Sequence, residues 1–294
     1  MIKLFWNTHN QDVPQPHQSA NEVARNYKWG IYHRDNSDKW IYEILNNIQF
    51  KVIKDEKHVE SNDTLIIVDS SVEKKVELYA KLKLICAKVF LIHLGDESGA
   101  YDLTFIYKNC NYVWRTFCLN KYFKSKNISC LPVGYKSGTN KKHVGNKKYK
   151  WAFVGTPHKS SRQDLLFQLS DIKPSYCYKT EKFDVKPLSA DEMSKIISST
   201  DFMPCPNGFV HPETYRLYEA LECHCIPIVE NTYRYYDRLF PNNPFLKVDK
   251  WLDAKFIIQE WSVEQIRGKQ KECQNWWFQY KRLLQESMKG KINI

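Results

Sequence analysis

The chain has no long run of apolar residues. Its longest apolar stretches, at residues 65–68 and 89–94, have the length of buried strands, whereas a membrane-spanning helix needs about 18 or more apolar residues. The first ten residues, MIKLFWNTHN, contain neither the apolar core nor the small-residue cleavage site of a secretory signal. We therefore expect a cytoplasmic protein without an integral membrane segment.

Sequence motifs for metal binding are also missing. The nine cysteines of the 294-residue chain follow no regular spacing and include no Cys-x-x-Cys pair, so their pattern does not predict a zinc site. No Asp-x-Asp motif is present. We expect the cysteines to be reduced and structural, as they are in the cytosol, and we predict no metal site.

Positive charge is in excess, since 44 lysines and arginines against 33 acidic residues give a net charge of +11. Such an excess can serve nucleic acid, an anionic surface or a phosphorylated ligand. The one dense cluster is KSGTNKKHVGNKKYK at residues 136–150, and no zinc finger, RNA-recognition motif or helix-turn-helix accompanies it. We expect no nucleic-acid partner, and a basic nucleic-acid-binding protein is the alternative.

Strand-like and helix-like segments alternate along the chain. This alternation predicts parallel sheets with crossover helices. The pattern is interrupted by the polar, basic segment and restarts at Trp151. It predicts an α/β protein with two Rossmann-like domains and a helical C-terminal tail. The predicted divisions are an N-terminal domain at residues 1–135, a basic linker at 136–150, a C-terminal domain at 151–262 and the tail at 263–294.

The most informative segment is FMPCPNGFVHPETYRLYEALECHCIPIVE at residues 202–230. It predicts a strand, a turn, a helix over residues 212–224 and a second buried strand. The amino end of such a helix offers N–H groups and a positive dipole to a diphosphate. Glu213, Arg216 and Glu219 are spaced by three, which predicts that the arginine lies between two carboxylates. A carboxylate can accept two hydroxyl donors of a ribose, and an arginine can bind phosphate in two places. An ordinary amphipathic helix with surface ion pairs is the alternative.

A second strand–turn–helix element precedes this segment. A strand is predicted at Trp151–Val154 and a turn at Gly155–Lys159, and Ser161 with Asp164 resembles a capping box at the start of the next helix. Gly155 allows the backbone to approach a ligand, and Arg162 on the first turn of the helix is a candidate to bind phosphate. A plain turn with a surface arginine is the alternative. Gly208, in the turn Pro206-Asn207-Gly208, is a further candidate for ligand binding.

Two adjacent segments resemble the donor-binding signature of the exostosin family of glycosyltransferases. They are Thr214-Tyr215-Arg216-Leu217-Tyr218-Glu219-Ala220-Leu221 and Cys225-Ile226-Pro227-Ile228. Three segments of the first half are similar to the branch of this family that includes ribitol-phosphate xylosyltransferases, and to exostosin-like xylosyltransferases encoded by large algal viruses. In order, they are Leu91-Ile92-His93-Leu94-Gly95-Asp96-Glu97, Trp114-Arg115 and Leu131-Pro132-Val133-Gly134-Tyr135. The chain departs from the family where His224 replaces a common glycine. His211 stands where many retaining enzymes carry a glutamate, which agrees with an inverting family.

The resemblance implies a GT-B fold, with two Rossmann-like domains that face a central cleft. The N-terminal domain would then serve the acceptor and the C-terminal domain would bind the nucleotide sugar. The implied activity is an inverting glycosyltransferase that moves a sugar, with xylose from UDP-xylose as the leading donor, onto a hydroxyl of an oligosaccharide or glycoprotein glycan. The UDP-sugar is a co-substrate, and no essential cofactor is expected. The candidate donor-binding residues are Arg115, Gly155, Arg162, Gly208, Glu213, Arg216 and Glu219.

An inverting transfer needs a general base for the acceptor hydroxyl. Asp96 and Glu97 are the predicted catalytic residues because they directly follow a buried strand, although the same pair could simply cap the next helix. The other candidates are His93, Asp69, His9 and Asp12. Two further alternatives are a catalytically inactive, glycan-binding exostosin-like protein and a nucleotide-sugar enzyme that transfers nothing to an acceptor.

Overall fold

The computed structural model describes residues 1–7, 34–140, 146–181 and 187–293, and for residues 34–36 it describes the backbone only. The chain divides into two compact units, residues 1–133 with 283–294 and residues 134–282. The basic segment 136–150 therefore falls in the second unit, and the predicted domain boundaries stay predictions. Within the described residues, no helix has the length and apolar character needed to cross a membrane.

The first unit contains a six-stranded parallel sheet with the order β2-β1-β3-β4-β5-β6. Its strands are β1 (Ile2–Trp6), β2 (Lys51–Ile53), β3 (Thr64–Asp69), β4 (Lys88–His93), β5 (Tyr112–Arg115) and β6 (Ile128–Cys130). Its helices are α1 (Arg34–Ile44), α2 (Val76–Ile85) and α3 (Thr104–Tyr107).

The central strands of this sheet are buried on both faces. In β3 the burial continues without alternation from Leu65 to Asp69, and in β4 from Val89 to His93. Covered parallel sheets have continuous apolar strands for this reason. The parallel register sets Asp69 beside His93, and His93 beside Arg115, so polar residues line up at the carboxyl ends of three neighbouring strands.

The second unit contains a five-stranded parallel sheet with the order β11-β10-β9-β7-β8. Its strands are β7 (Tyr149–Gly155), β8 (Ser175–Lys179), β9 (Thr200–Cys205), β10 (Ile226–Glu230) and β11 (Leu246–Val248). The helices from here on are α4 (Arg162–Gln168), α5 (Ala190–Ser198), α6 (Tyr215–Glu222), α7 (Tyr235–Leu239), α8 (Trp251–Glu260) and α9 (Val263–Asn293). The predicted α/β fold class, with two Rossmann-like units and a helical C-terminal tail, is confirmed.

The core of the second unit forms between the sheet and the helices α4 and α8. Trp151 and Phe153 of β7 pack in one cluster with Leu165 of α4 and Trp251 of α8. The beginning of α9 joins the same cluster through Ile266. This packing holds the amino end of α4 against the end of β7, where the first candidate loop lies.

Two local predictions need correction. Helix α6 begins at Tyr215 instead of Pro212, because the side chain of Thr214 caps it by accepting a hydrogen bond from the Arg216 N–H. The expectation that all cysteines are reduced is wrong for Cys118 and Cys130, which form a disulfide across 12 residues.

Candidate functional site

The loops after β7 and β9 meet at a reversal of strand order in the second unit. Strand β7 pairs with β8 on one side and with β9 on the other. The chain leaves β7 toward β8 and then returns across β7 to build β9. In open parallel sheets, ligands bind at the carboxyl ends of the strands at such a reversal. The predicted donor residues Gly155, Arg162 and Gly208 lie on these two loops or at their ends.

Arg162 joins the two loops. Its Nη1 donates to the Thr156 carbonyl oxygen at 3.1 Å, and its Nη2 donates to the Asn207 carbonyl oxygen at 3.5 Å. Gly155 has a positive φ of 151°, a conformation that favours glycine. A Cβ atom at this position would lie 3.6 Å from Arg162 Nη1, an ordinary contact distance. Glycine is therefore favoured here by its backbone conformation.

A carboxylate at the end of β10 organises the same loops. Glu230 accepts a short hydrogen bond from the Ser161 hydroxyl and another, of 2.8 Å, from Asn207 Nδ2. Ser161 in turn accepts a hydrogen bond from Trp251 Nε1 at 2.8 Å. The predicted capping box at Ser161 is therefore wrong, because the Ser161 side chain makes no capping hydrogen bond to α4. Its hydroxyl is used to fix Glu230 instead.

Arg216 and Glu219 form an ion pair within α6. The short contact joins Arg216 Nη1 to Glu219 Oε2, and Arg216 Nη2 also donates to the Val154 carbonyl oxygen at 3.3 Å. The Glu219 side chain is 4% exposed, and its other oxygen accepts a hydrogen bond of 3.1 Å from the Thr139 hydroxyl. The pair thus connects α6 to the end of β7, beside Gly155.

Glu213 lies outside α6, so the helical spacing that was predicted to set it beside Arg216 does not apply. It is buried and accepts hydrogen bonds from two tyrosine hydroxyls, a short one from Tyr218 and one of 2.9 Å from Tyr235. Burial and the Glu213 charge raise the pKa of Tyr218 well above its ordinary value. Tyr218 therefore stays protonated and can donate to this carboxylate. The position fits a residue that fixes the loop before α6.

The two arginines of this site interact electrostatically. Burial lowers the pKa of the Arg162 guanidinium from its usual value, and the positive charge of Arg216 lowers it further, while Glu230 partly offsets both effects. Two positive charges that repel each other favour an anion between them. The ends of β7 and β9 are therefore a candidate site for an anionic group.

The sequence pattern missed three residues that the structure brings into this site, Thr139, Asn207 and Glu230. Asn207 belongs to the turn that gave Gly208 as a candidate, but only the glycine was selected. Gly208 is half-buried in the loop beside it. Glu230 is the last residue of a predicted strand, and no local signal marked it.

The predicted catalytic residues lie in the first unit, together with Arg115. The Asp96 carboxylate accepts hydrogen bonds from the Ala100 N–H at 2.9 Å and from Arg115 Nη2 at 3.4 Å. Arg115 is fully buried, and its other donors reach the Thr116 carbonyl oxygen and the Tyr107 hydroxyl. These hydrogen bonds engage the Arg115 guanidinium with groups of the first unit. Its role as a donor ligand stays a prediction without a contact that supports it. Glu97 is half-exposed beside Asp96.

His93 is linked to this network through Tyr107. Its Nδ1 lies 2.8 Å from the Tyr107 hydroxyl. Because that hydroxyl accepts from Arg115, its own proton is available to His93 Nδ1, and the imidazole proton is then assigned to Nε2. Burial lowers the pKa of His93 well below its ordinary value, and the charges of Arg115 and Lys75 lower it further. A neutral, enclosed imidazole of this kind is a poor general base.

Asp69 is held by four hydrogen bonds. Their donors are Asn7 Nδ2, the Ser71 N–H, Lys75 Nζ and the Tyr79 hydroxyl. This environment fits a structural carboxylate at the end of β3. His9 and Asp12, the last two candidate bases, lie outside the described residues.

The structure thus defines an α/β protein with a candidate ligand site at the carboxyl ends of strands β7 and β9. The family of the RXYLT1 C-terminal domain matches residues 133–293, more than half of the chain, and the chain belongs to this family. Its match contains every candidate residue of the second unit. The predicted kinship with a xylosyltransferase-like branch is thereby confirmed at the level of the family.

Among solved structures, the chain is similar to one described as the crystal structure of an α1,3-fucosyltransferase. The identity is 11%, the match covers 91% of this chain and 80% of that chain, and the TM-score is 0.49. No curated protein matches the chain.

Proposed function

We propose that the chain is an inverting glycosyltransferase that moves xylose from UDP-xylose onto a hydroxyl of an oligosaccharide or glycoprotein glycan. The observation that carries this proposal is the pair of interacting arginines, Arg162 and Arg216, beside the buried carboxylate of Glu219. Membership of the RXYLT1 C-terminal domain family supports a transferase and makes xylose the first donor to test.

In this proposal the two arginines bind the diphosphate of the donor. As the bond to the sugar breaks, negative charge grows on the leaving diphosphate, and nearby guanidinium groups stabilise it. Glu219 accepts the hydroxyl groups of the ribose, since an ionised carboxylate retains acceptor sites beyond those that Arg216 and Thr139 use. The arginines supply the positive charge, so we propose no essential metal.

The acceptor hydroxyl must lose its proton as its oxygen attacks the anomeric carbon. We propose Glu97 as the base, because it follows a buried strand and its side chain is half-exposed, whereas the Asp96 side chain is almost fully buried in its ion pair with Arg115. The proton passes to the carboxylate, the new glycosidic bond forms from the opposite face, and the bond to UDP breaks with its electron pair on the phosphate oxygen. Asp96 and Arg115 then serve to position the loop that carries Glu97.

The test combines binding with turnover. Calorimetry with UDP, GDP, ADP and CMP in the presence of a chelator should show selective binding of UDP, and NMR of a glycan treated with UDP-xylose should show a β-linked xylose. Glu97→Gln should lower kcat by about 100-fold or more and leave the UDP affinity unchanged. Glu73→Gln, a change in an acidic residue of the same unit, is the control and should have no effect on either quantity.

Each alternative gives a different result in the same experiments. Binding of glycan without any nucleotide would support the inactive, glycan-binding protein. Binding of arbitrary oligonucleotides that weakens steeply with salt would support the nucleic-acid-binding protein. UDP binding and turnover that stop on chelation would refute the metal-independent mechanism and leave the transferase in place.

A further inference from the structure

A donor and an acceptor without partners lie on neighbouring residues of the second unit. Within the described part of the chain, neither Arg162 Nε nor Asn207 Oδ1 has a hydrogen-bond partner, although both atoms are buried. The two residues already touch, because Arg162 Nη2 donates to the Asn207 backbone carbonyl. A buried polar atom without a partner is unfavourable because it has lost its hydrogen bonds to water, so two such atoms on residues in contact need an explanation.

The surrounding hydrogen bonds fix how both groups are oriented. Asn207 Nδ2 donates to Glu230 Oε2 and to the Thr232 hydroxyl, each at 2.8 Å. These two acceptors determine which end of the amide is the nitrogen, so Oδ1 is the end without a partner. Arg162 is fixed in the same way, because Nη1 and Nη2 are bound to backbone carbonyls of the two loops.

The chemistry of these two atoms selects the ligand group. A hydroxyl can donate to Asn207 Oδ1 and accept from Arg162 Nε–H at the same time, whereas an ionised phosphate oxygen can only accept. We propose that Asn207 and Arg162 Nε together bind one hydroxyl group of the nucleotide sugar, from its ribose or from the transferred sugar. This inference rests on the proposed function and adds Asn207 to the residues that determine donor specificity.

The test compares how the wild type and Asn207→Ala bind ligands that carry hydroxyl groups and a ligand that carries none. Dissociation constants for pyrophosphate, UDP and UDP-xylose are measured by calorimetry on the whole chain. We expect the variant to bind pyrophosphate as the wild type does and to bind a hydroxyl-bearing ligand about tenfold more weakly, the size of one hydrogen bond. A loss for UDP and UDP-xylose alike assigns the ribose. A loss for UDP-xylose alone assigns the transferred sugar.

Thr232→Val is the matched control, because it removes one anchor of Asn207 Nδ2 and leaves the Oδ1 acceptor in place. It should keep all three affinities within about twofold, which is below the effect of one hydrogen bond. Equal losses in both variants, an equal loss for pyrophosphate, or unchanged affinities in Asn207→Ala would each overturn the subsite. If the wild type binds none of the nucleotides, the proposed function fails and this inference fails with it. If the wild type binds UDP and Asn207→Ala binds every ligand with the same affinity as the wild type, the subsite is refuted and the proposed function stands.

Discussion

The ion pair between Arg216 and Glu219 makes a prediction about stability and anion binding that needs no knowledge of the donor. Glu219→Gln keeps the size and shape of the side chain and removes its negative charge. Arg216, whose side chain is 19% exposed, then loses the carboxylate beside it. Removal of one partner of a buried pair costs about 3–5 kcal/mol, and the retained amide oxygen lowers the expected loss to about 3 kcal/mol.

This loss should be visible as a drop in Tm of roughly 10 °C for a unit of this size. The same change frees a positive charge next to Arg162, so pyrophosphate should bind about tenfold more tightly to Glu219→Gln than to the wild type, since mutual repulsion of the arginines is no longer offset. Thermal unfolding with and without pyrophosphate measures both effects in one experiment.

Thr139→Val is the control for this experiment. It removes the other hydrogen bond to Glu219 without changing any charge, and we expect a loss of about 1 kcal/mol and an unchanged affinity for pyrophosphate. A Glu219→Gln protein with the stability of the wild type, or with weaker binding of pyrophosphate, would refute the view that Glu219 neutralises the arginines of an anion site.

Three further predictions concern the first unit and the last helix. Because burial lowers the pKa of His93 well below its ordinary value of 6.5, its stabilising contribution is complete above pH 6.5. That contribution to the free energy of unfolding is lost as pH falls toward the folded-state pKa, at up to about 1.4 kcal/mol per pH unit. Unfolding measured at several pH values should show this slope in the wild type and in His58→Gln, a change at an exposed histidine that serves as the control. The slope should be smaller in His93→Gln. Gly95→Ala should destabilise by about 2 kcal/mol because the new methyl group would lie 2.5 Å from the Ser70 carbonyl oxygen. Gly268→Ala should stabilise α9 by about 1 kcal/mol, because no described atom outside the local helix backbone would lie within 4 Å of the new methyl group. Equal effects of the two changes in chemical denaturation would contradict this account.

Local sequence patterns were sufficient to predict the strands and helices whose formation depends little on their tertiary contacts. The continuous apolar runs at residues 65–68 and 89–94 became the doubly covered strands β3 and β4, because a parallel sheet buries both of its faces. The position of Arg162 on the first turn of α4 followed from helix chemistry in the same way, and β7 ends at Gly155, one residue after the predicted strand end. Helix ends were less certain, since the cap at Thr214 competed with the proline two residues earlier.

Partners that are distant in the chain could not be derived in this way. Ser161 was expected to cap its own helix, but its hydroxyl donates to Glu230, 69 residues away. Arg115 matched a donor-binding arginine by resemblance, yet the fold surrounds it with Tyr107, Thr116 and Asp96 inside the first unit. Such choices depend on which strand ends become neighbours, and residue types alone do not contain that information.

The sequence by itself therefore determined two parallel α/β units, a long C-terminal helix and a family signature around Arg216 and Glu219. Those features follow from period, turn residues and short-range spacing, which act within a few residues of the chain. Only the tertiary structure decided that Asn207 and Arg162 lie together, each with one buried polar atom that has no hydrogen-bond partner among the described residues. The strand order β10-β9-β7 brings their loops to the same edge of the sheet, and a hydrogen bond forms only between groups that the fold has already brought within about 3 Å.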